Sequence, residues 1–438
     1  MKLIGNFNRA LIEMSSRLAI ILLFDSSIGL PLCRRISLIS SLIYNYYTDM
    51  KKLTLLLATI CLVLTSIAQK PITSIPFELF GDHIIIEVSV DDSDPLNFIF
   101  DTGAGLTVLD EDVATELGLS GKKIEMNESY MDWQLIKHNT IAINHFLMEK
   151  NIKVYSTDFD HLEISLGMDI DGIVGNDLLK HHAVYVDFDK KMIDIYDLGK
   201  GPKNGDAISF TFDTTIPVVK GTVVLNNEEP HDGSFYFITG AGTTLDFNSP
   251  YAKEWDVIHK TGKHYSYLVK GLSEVETPHY EGHVISFKFG NQIIEDLPIG
   301  ISTAETGVQA SKNVAGIIGS QIIRMYNFTI DYGSKMIYLV KDETYDAKFN
   351  TNCGGFDVQL AKDKKTVLIH EVFENSPASE AGIKINDELL KINGKSMAEV
   401  NLPDVKKILK QEGESVDLVI KQNGTEKSLT LALRSLID

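Results

Sequence analysis

Apolar residues recur along much of this chain in short runs with a period of two, the spacing that puts alternate side chains on one face of a strand. His83–Val90 (HIIIEVSV) and Ile216–Leu225 (IPVVKGTVVL) are clear examples, and both predict strands. Each is followed by an apolar strand that runs into a glycine loop: Phe98–Leu109 reads FIFDTGAGLTVL and Phe235–Phe247 reads FYFITGAGTTLDF. The likeness continues downstream. GIVGNDLLKHHAVYVDFDKKMIDIY from Gly172 matches GIIGSQIIRMYNFTIDYGSKMIYLV from Gly316 without a gap, and NTIAINHFLMEKNIKVYSTD from Asn139 resembles HVISFKFGNQIIEDLPIGIST from His283. The order strand, glycine loop, short helix, long hairpin, apolar-apolar-Gly strand and final strand pair therefore occurs twice. A repeat of roughly 140 residues is a duplicated domain, far longer than a solenoid unit.

After Val340 the pattern changes. The polar stretch KDETYDAKFNTNC predicts a linker over 341–353. Beyond it come ENSPASEAGIKINDELLKINGKSM (Glu374–Met397), an amphipathic helix over Leu402–Leu409, and closing strands Ser415–Lys421 and Glu426–Leu433. Asn423-Gly424 between those strands is a strong hairpin signal. The predicted organisation is a first lobe over 72–200, a second over 205–340, the linker, and a third domain over 354–438.

Charge and cysteine narrow the class. The chain has 41 Lys and Arg against 60 Asp and Glu, which argues against a nucleic-acid or anionic-membrane partner. Met50-Lys51-Lys52, an apolar run from Leu53 to Leu64, and Ser66-Ile67-Ala68 together read as a signal peptide over 50–68. That run is shorter than a membrane span requires. Translation from Met50 is expected, with residues 1–49 an over-extended or atypical leader, and export to a periplasmic or extracellular space. Ile60 before Cys61 does not suit a lipoprotein signal, and cleavage after Ala68 leaves Cys353 alone, so no internal disulfide is expected.

The duplicated loops carry the chemistry. Asp101 in the first copy is Ile238 in the second. Phe98-Ile99-Phe100-Asp101-Thr102-Gly103-Ala104, with Ile173-Val174-Gly175 and Ile317-Ile318-Gly319 at matching later positions, resembles the retropepsin-like and pepsin-like aspartic peptidases over about residues 72–340. The resemblance implies a mostly β fold of two acid-protease lobes with a cleft between them. It also implies Asp101 as the water-activating carboxylate and hydrogen bonds exchanged across a pseudo-twofold axis by Thr102 and Thr239. Gly103, Gly240, Gly175 and Gly319 would support the loops. A substrate-covering flap is expected within Glu125–His138, with Tyr130 and Trp133, and its counterpart within His264–Glu276. Such peptidases need two carboxylates sharing one proton, and Ile238 can share none. Opposite it, desolvation is expected to raise the Asp101 pKa. Three readings stay open: a working aspartic endopeptidase completed by another acid such as Asp246 or a second chain, a non-catalytic protein that binds extended peptides or unfolded protein, and a β scaffold whose glycine loops are only turns.

In the third domain, Ser376-Pro377-Ala378, Ala381-Gly382 and Asp387 through Gly394 resemble the central signature of PDZ domains, with Asn386 in place of a common glycine. The resemblance implies a small α+β module that adds a peptide strand to a sheet edge. Gly354-Gly355-Phe356 is the expected loop for a C-terminal carboxylate, and Leu402, Val405 and Leu409 form either the groove helix face or merely the module's own core. No metal or cofactor is expected. His181-His182 point to opposite faces of a strand, Asp169 and Asp171 read as a solvated acidic turn, and no phosphate-cradling loop occurs.

Overall fold

The computed structural model describes residues 70–437 apart from 127–130, 144–145, 272–275 and 345–347, together with scattered positions between 29 and 51. The expected signal peptide lies almost wholly outside the described residues. Among those that are described, no helix is long and apolar enough to cross a membrane. Lys70–Asp438 form one compact unit.

Both halves build the same eight-stranded sheet. In the first, the strands run in the order Glu78–Phe80, His83–Val90, Leu96–Phe100, Gly172–Val174, Thr107–Asp110, Phe146–Thr157, Trp133–Ile143, Lys122–Ile124. In the second, Thr211–Asp213, Ile216–Val224, Pro230–Phe237, Gly316–Ile318, Leu245–Phe247, Gln292–Ser302, Glu276–Phe289 and Tyr265–Lys270 follow one another in the corresponding order. The apolar-apolar-Gly strand is the key insertion. It lies parallel to the strand entering the glycine loop, pairing Phe98 with Gly172 and Phe235 with Gly316, and antiparallel to the strand leaving it.

Alternation divides each strand between two apolar clusters. Phe98 and Phe100 are fully buried in the main core with Ile84, Ile86 and Val88, while Ile99 and Ile85 turn to the opposite face with Val108, Trp133, Phe159 and Ile170. Burial of each such side chain contributes about 1.5–3 kcal/mol, so a one-residue slip of register would forfeit both clusters at once.

A six-stranded sheet joins the halves, three strands from each: Thr73–Pro76, Met192–Asp197 and His182–Asp187, then Tyr326–Asp331, Met336–Lys341 and Asp206–Ser209. At its centre Ala183 pairs with Asp331 and Val186 with Phe328. This seam fixes the lobes to each other and brings the two glycine loops together.

The third domain has its own core, in which Cys353, Phe356, Val405 and Leu409 are buried. Its sheet begins at an edge strand, Phe356–Leu360. The short helix Pro377–Glu380 is opened by a capping box on Ser376, whose hydroxyl accepts from Ser379 N. Asn386 adopts φ 69°, and the closing hairpin turns through Asn423 and Gly424 at φ 50° and 78°, backbone that asparagine and glycine tolerate. The expected linker is laid along the second lobe at its start, where Asp342 N bonds Met325 O at 3.0 Å.

Candidate active site

Asp101 emerges from the strand Leu96–Phe100 with its N–H on Val174 O at 2.9 Å, and Ile238 emerges from Pro230–Phe237 with its N–H on Ile318 O at 3.1 Å. The two loops are interlocked by threonine. Thr102 Oγ1 donates to Phe237 O at 2.5 Å and accepts from Thr239 N at 3.1 Å, while Thr239 Oγ1 donates to Phe100 O at 3.0 Å and accepts from Thr102 N at 3.0 Å. Both threonines are buried, so each hydroxyl and each N–H would be costly to leave unpaired.

Glycine at four positions is a steric requirement. A Cβ on Gly175 would lie 1.9 Å from Asp101 O, and one on Gly319 would lie 2.2 Å from Thr243 O, so only glycine lets the apolar-apolar-Gly strand pass beneath each loop. The other pair shows how the side chains cross. A Cβ on Gly240 would lie 2.3 Å from Asp101 Cγ, and one on Gly103 would lie 2.8 Å from Ile238 Cγ2. Asp101 and Ile238 therefore occupy mirror positions, each against the glycine of the opposite loop.

The Asp101 carboxylate is held from both lobes. Its Oδ1 accepts from Gly103 N at 2.7 Å and from Gly240 N at 3.0 Å, and its Oδ2 takes no hydrogen bond among the described residues. Burial pushes its carboxyl above the ordinary value, and the two backbone donors pull it part of the way back. Ile238 packs with Val218, Tyr236, Val314 and Ile317, so the half of the site where a second acid would stand is apolar.

Asp246 does not repair this. Its Oδ1 accepts from Thr243 and its Oδ2 from Gln309 Nε2 at 3.1 Å, deep in lobe 2 beside His279. The strand Leu245–Phe247 pairs on both sides, which fixes the carboxylate inside its own lobe. Sequence reasoning missed Tyr332. Its hydroxyl is buried with no partner among the described residues, and burial, followed by the nearby Asp101 charge, makes it a weaker acid than a free phenol. Tyr130 lies outside the described residues, and Trp133 is a buried core side chain at the head of the strand Trp133–Ile143.

Other expected positions fall as follows. Leu402, Val405 and Leu409 are buried in the third domain's core. Gly354 N and Gly355 N both donate to Asn352 Oδ1, at 3.0 and 2.8 Å, and Asn352 Nδ2 donates to Phe356 O at 2.8 Å. Asn352 was legible, because an Asn before Gly-Gly can bond its own backbone two and three residues on. Asp171 departs from a solvated turn: its Oδ2 accepts from Asn97 N at 2.6 Å, and burial raises its carboxyl. Among the described residues no cluster of His, Cys, Asp and Glu could hold a metal ion.

Residues 86–178 match the family model for aspartyl proteases, and residues 348–421 match that for the PDZ domain. The chain joins an aspartyl protease fold to a PDZ domain. It is similar to the carboxy-terminal processing protease CtpB of Bacillus subtilis, 32% identical over 101 residues, which are 22% of this chain and 21% of that protein. Human syntenin-1 is 28% identical over 103 residues, 23% of this chain and 32% of that one. The match thus spans between a fifth and a third of either relative. Among solved structures, the aspartic proteinase from Irpex lacteus aligns with a TM-score of 0.41 at 11% identity, covering 63% of this chain and 98% of that chain.

Proposed function

We propose that this PDZ-bearing aspartyl protease relative is exported and binds extended peptide or unfolded protein in the cleft between its lobes, without the proton-sharing chemistry of an aspartic endopeptidase. One observation carries the reading: Ile238 fills the mirror position of Asp101, and Asp246, the substitute named from the sequence, is committed to Thr243 and Gln309. Without a second carboxylate, no group is poised both to activate water and to polarise a carbonyl. The interlocked threonines and crossed glycines still join the two lobes at the glycine loops, where the resemblance to aspartic peptidases implies a cleft, the kind of place where ligands most often bind. Export rests on Met50-Lys51-Lys52 and the apolar run that follows.

A second reading has a specific observation behind it. Asp101 Oδ2 is free among the described residues, so a water held there could attack slowly with one carboxylate as base. Incubating the chain from residue 70 with a fluorescently labelled, reduced and carboxymethylated protein separates the two. Saturable binding with no new N-termini is expected; no binding overturns the proposal, and cleavage abolished in Asp101→Ala establishes the second reading in its place.

A further inference from the structure

The PDZ groove is not open. In a PDZ module a ligand strand lies between the edge strand and the groove helix, with its terminal carboxylate on backbone N–H groups of the preceding loop. Here those elements are Phe356–Leu360, Leu402–Leu409 and Gly354-Gly355. Two of the loop's N–H groups are consumed by Asn352 Oδ1. Asp357 on the strand and Lys406 on the helix pair across the groove at 3.4 Å.

Lobe 1 is seated on both walls. Its helix Asp160–Leu166 packs on the edge strand, and a Cβ on Gly167, which caps that helix, would lie 2.7 Å from Leu402 Cγ. Pro403 lies beside Gly81. Lys364, in the turn after the edge strand, reaches Asp160 Oδ1 at 2.6 Å and Glu163 Oε2 at 2.5 Å. Lobe 2 holds the same module at the neighbouring strand Val367–Val372 and the residue after it. Leu268 N donates to Glu371 Oε2 at 2.9 Å, Tyr265 stacks on Phe373 with centroids 4.7 Å apart, and His370 Nε2 lies 3.5 Å from Glu276 Oε1. Beside this junction, His161 Nε2 of lobe 1 lies 3.2 Å from Gly271 O of lobe 2.

We infer that the PDZ groove is an internal docking surface whose partner is the lobe 1 helix Asp160–Leu166, so that the module latches the two lobes together instead of standing free to collect peptide termini. The latch engages the strand Tyr265–Lys270, within the segment that corresponds to the lobe 2 flap, and it stands whether or not the cleft binds or cleaves peptide. Occupation of the groove by an external strand and docking of lobe 1 are mutually exclusive on this geometry.

Hydrogen exchange on the full chain tests it, with Lys364→Glu, Asp160→Lys and the double variant compared. Each single variant should exchange at least ~5-fold faster in residues 160–166, 265–270 and 356–360, and the reversed pair should lose less protection than the two single losses combined, because the lysine introduced at position 160 offsets the repulsion that a carboxylate at position 364 meets from Glu163, the signature of a direct coupling. The closing strands Ser415–Gln422 and Thr425–Ala432 report whether the module itself stays folded, and Asp160→Lys probes the contact from the lobe 1 side if Lys364→Glu does not. Unchanged protection in the single variants, or additive losses in the double, would overturn the latch.

Discussion

Thr102 and Thr239 each donate a hydroxyl to the strand of the opposite lobe and accept the other's backbone N–H, making four hydrogen bonds between 2.5 and 3.1 Å across the seam. Neither lobe can adopt this loop alone, because every partner lies 135 or more residues away. Thr102→Val keeps the shape and removes one hydroxyl, which strands Thr239 N and Phe237 O in the interior. A loss of about 2–4 kcal/mol is expected, read as a lower denaturant midpoint at unchanged slope.

The Asp101 carboxyl gives that seam a pH dependence of known sign. Its folded pKa lies above the ordinary 3.8, with burial the leading cause. The folded state therefore binds more protons than the unfolded one between those two values, and stability falls as pH rises through that window. Asp101→Asn removes the ionisation. Unfolding free energies measured from pH 3 upward should favour the variant increasingly above about pH 4; a constant difference between the two proteins would contradict the buried, unpaired carboxyl.

Glu371 supplies a second titration, at the contact between the PDZ module and lobe 2. Its carboxyl is raised from 4.5 to about 7, first by burial and further by Asp357 and Glu276, against the opposing bond from Leu268 N. The raised value stabilises the protonated form, so its contribution is complete below about pH 4.5 and lost as pH passes 7. Glu371→Gln keeps an acceptor for Leu268 N without the charge. The expected result is equal stability near pH 4 and an advantage for the variant of about 1 kcal/mol at pH 8, after allowing for solvent screening.

Gly355 cannot serve as a clean probe of peptide capture. It adopts φ 82°, and a Cβ there would lie 2.0 Å from Ser376 Cβ, so Gly355→Ala unfolds the loop before it reports on a ligand. Asn352→Ala is the informative change, because it frees Gly354 N and Gly355 N. Because lobe 1 is docked on the groove, the change is read with the latch weakened by Lys364→Glu: peptides ending in a free carboxylate should bind Asn352→Ala/Lys364→Glu more tightly than Lys364→Glu alone by calorimetry, and their amidated forms should not. Equal affinities for these two variants would show that Asn352 does not block the loop.

Much of this was legible in the chain because it rests on local periodicity. The strands His83–Val90 and Ile216–Val224, the helix Leu402–Leu409 and the hairpin at Asn423-Gly424 all follow from residue order and turn chemistry. The glycine loops were legible for a different reason: the duplication printed the site twice, and the altered residue stood out at Ile238. Relations between distant surfaces left no such trace. Lys364 and Glu163 are 201 residues apart, and an exposed-looking lysine carries no mark of its partner. Sequence alone admits Asp246 as a substitute acid because it gives the residue type and not the face. The strand Leu245–Phe247 turns it toward Thr243 and Gln309.

The central question is whether the site lacks anything besides the second carboxylate, and a gain-of-function measurement addresses it most directly. Wild type, Asp101→Ala, Ile238→Asp and Ile238→Asp with Asp101→Asn are incubated with an unfolded protein from pH 3 to 7, and new N-termini are counted. A carboxylate at position 238 would project toward Gly103 as Asp101 does toward Gly240, restoring a pair able to share one proton. The expected result is cleavage by Ile238→Asp alone, strongest at acidic pH and absent when Asp101 is also changed, with wild type no more active than Asp101→Ala. Cleavage by the wild type that Asp101→Ala abolishes would contradict a binding site without turnover.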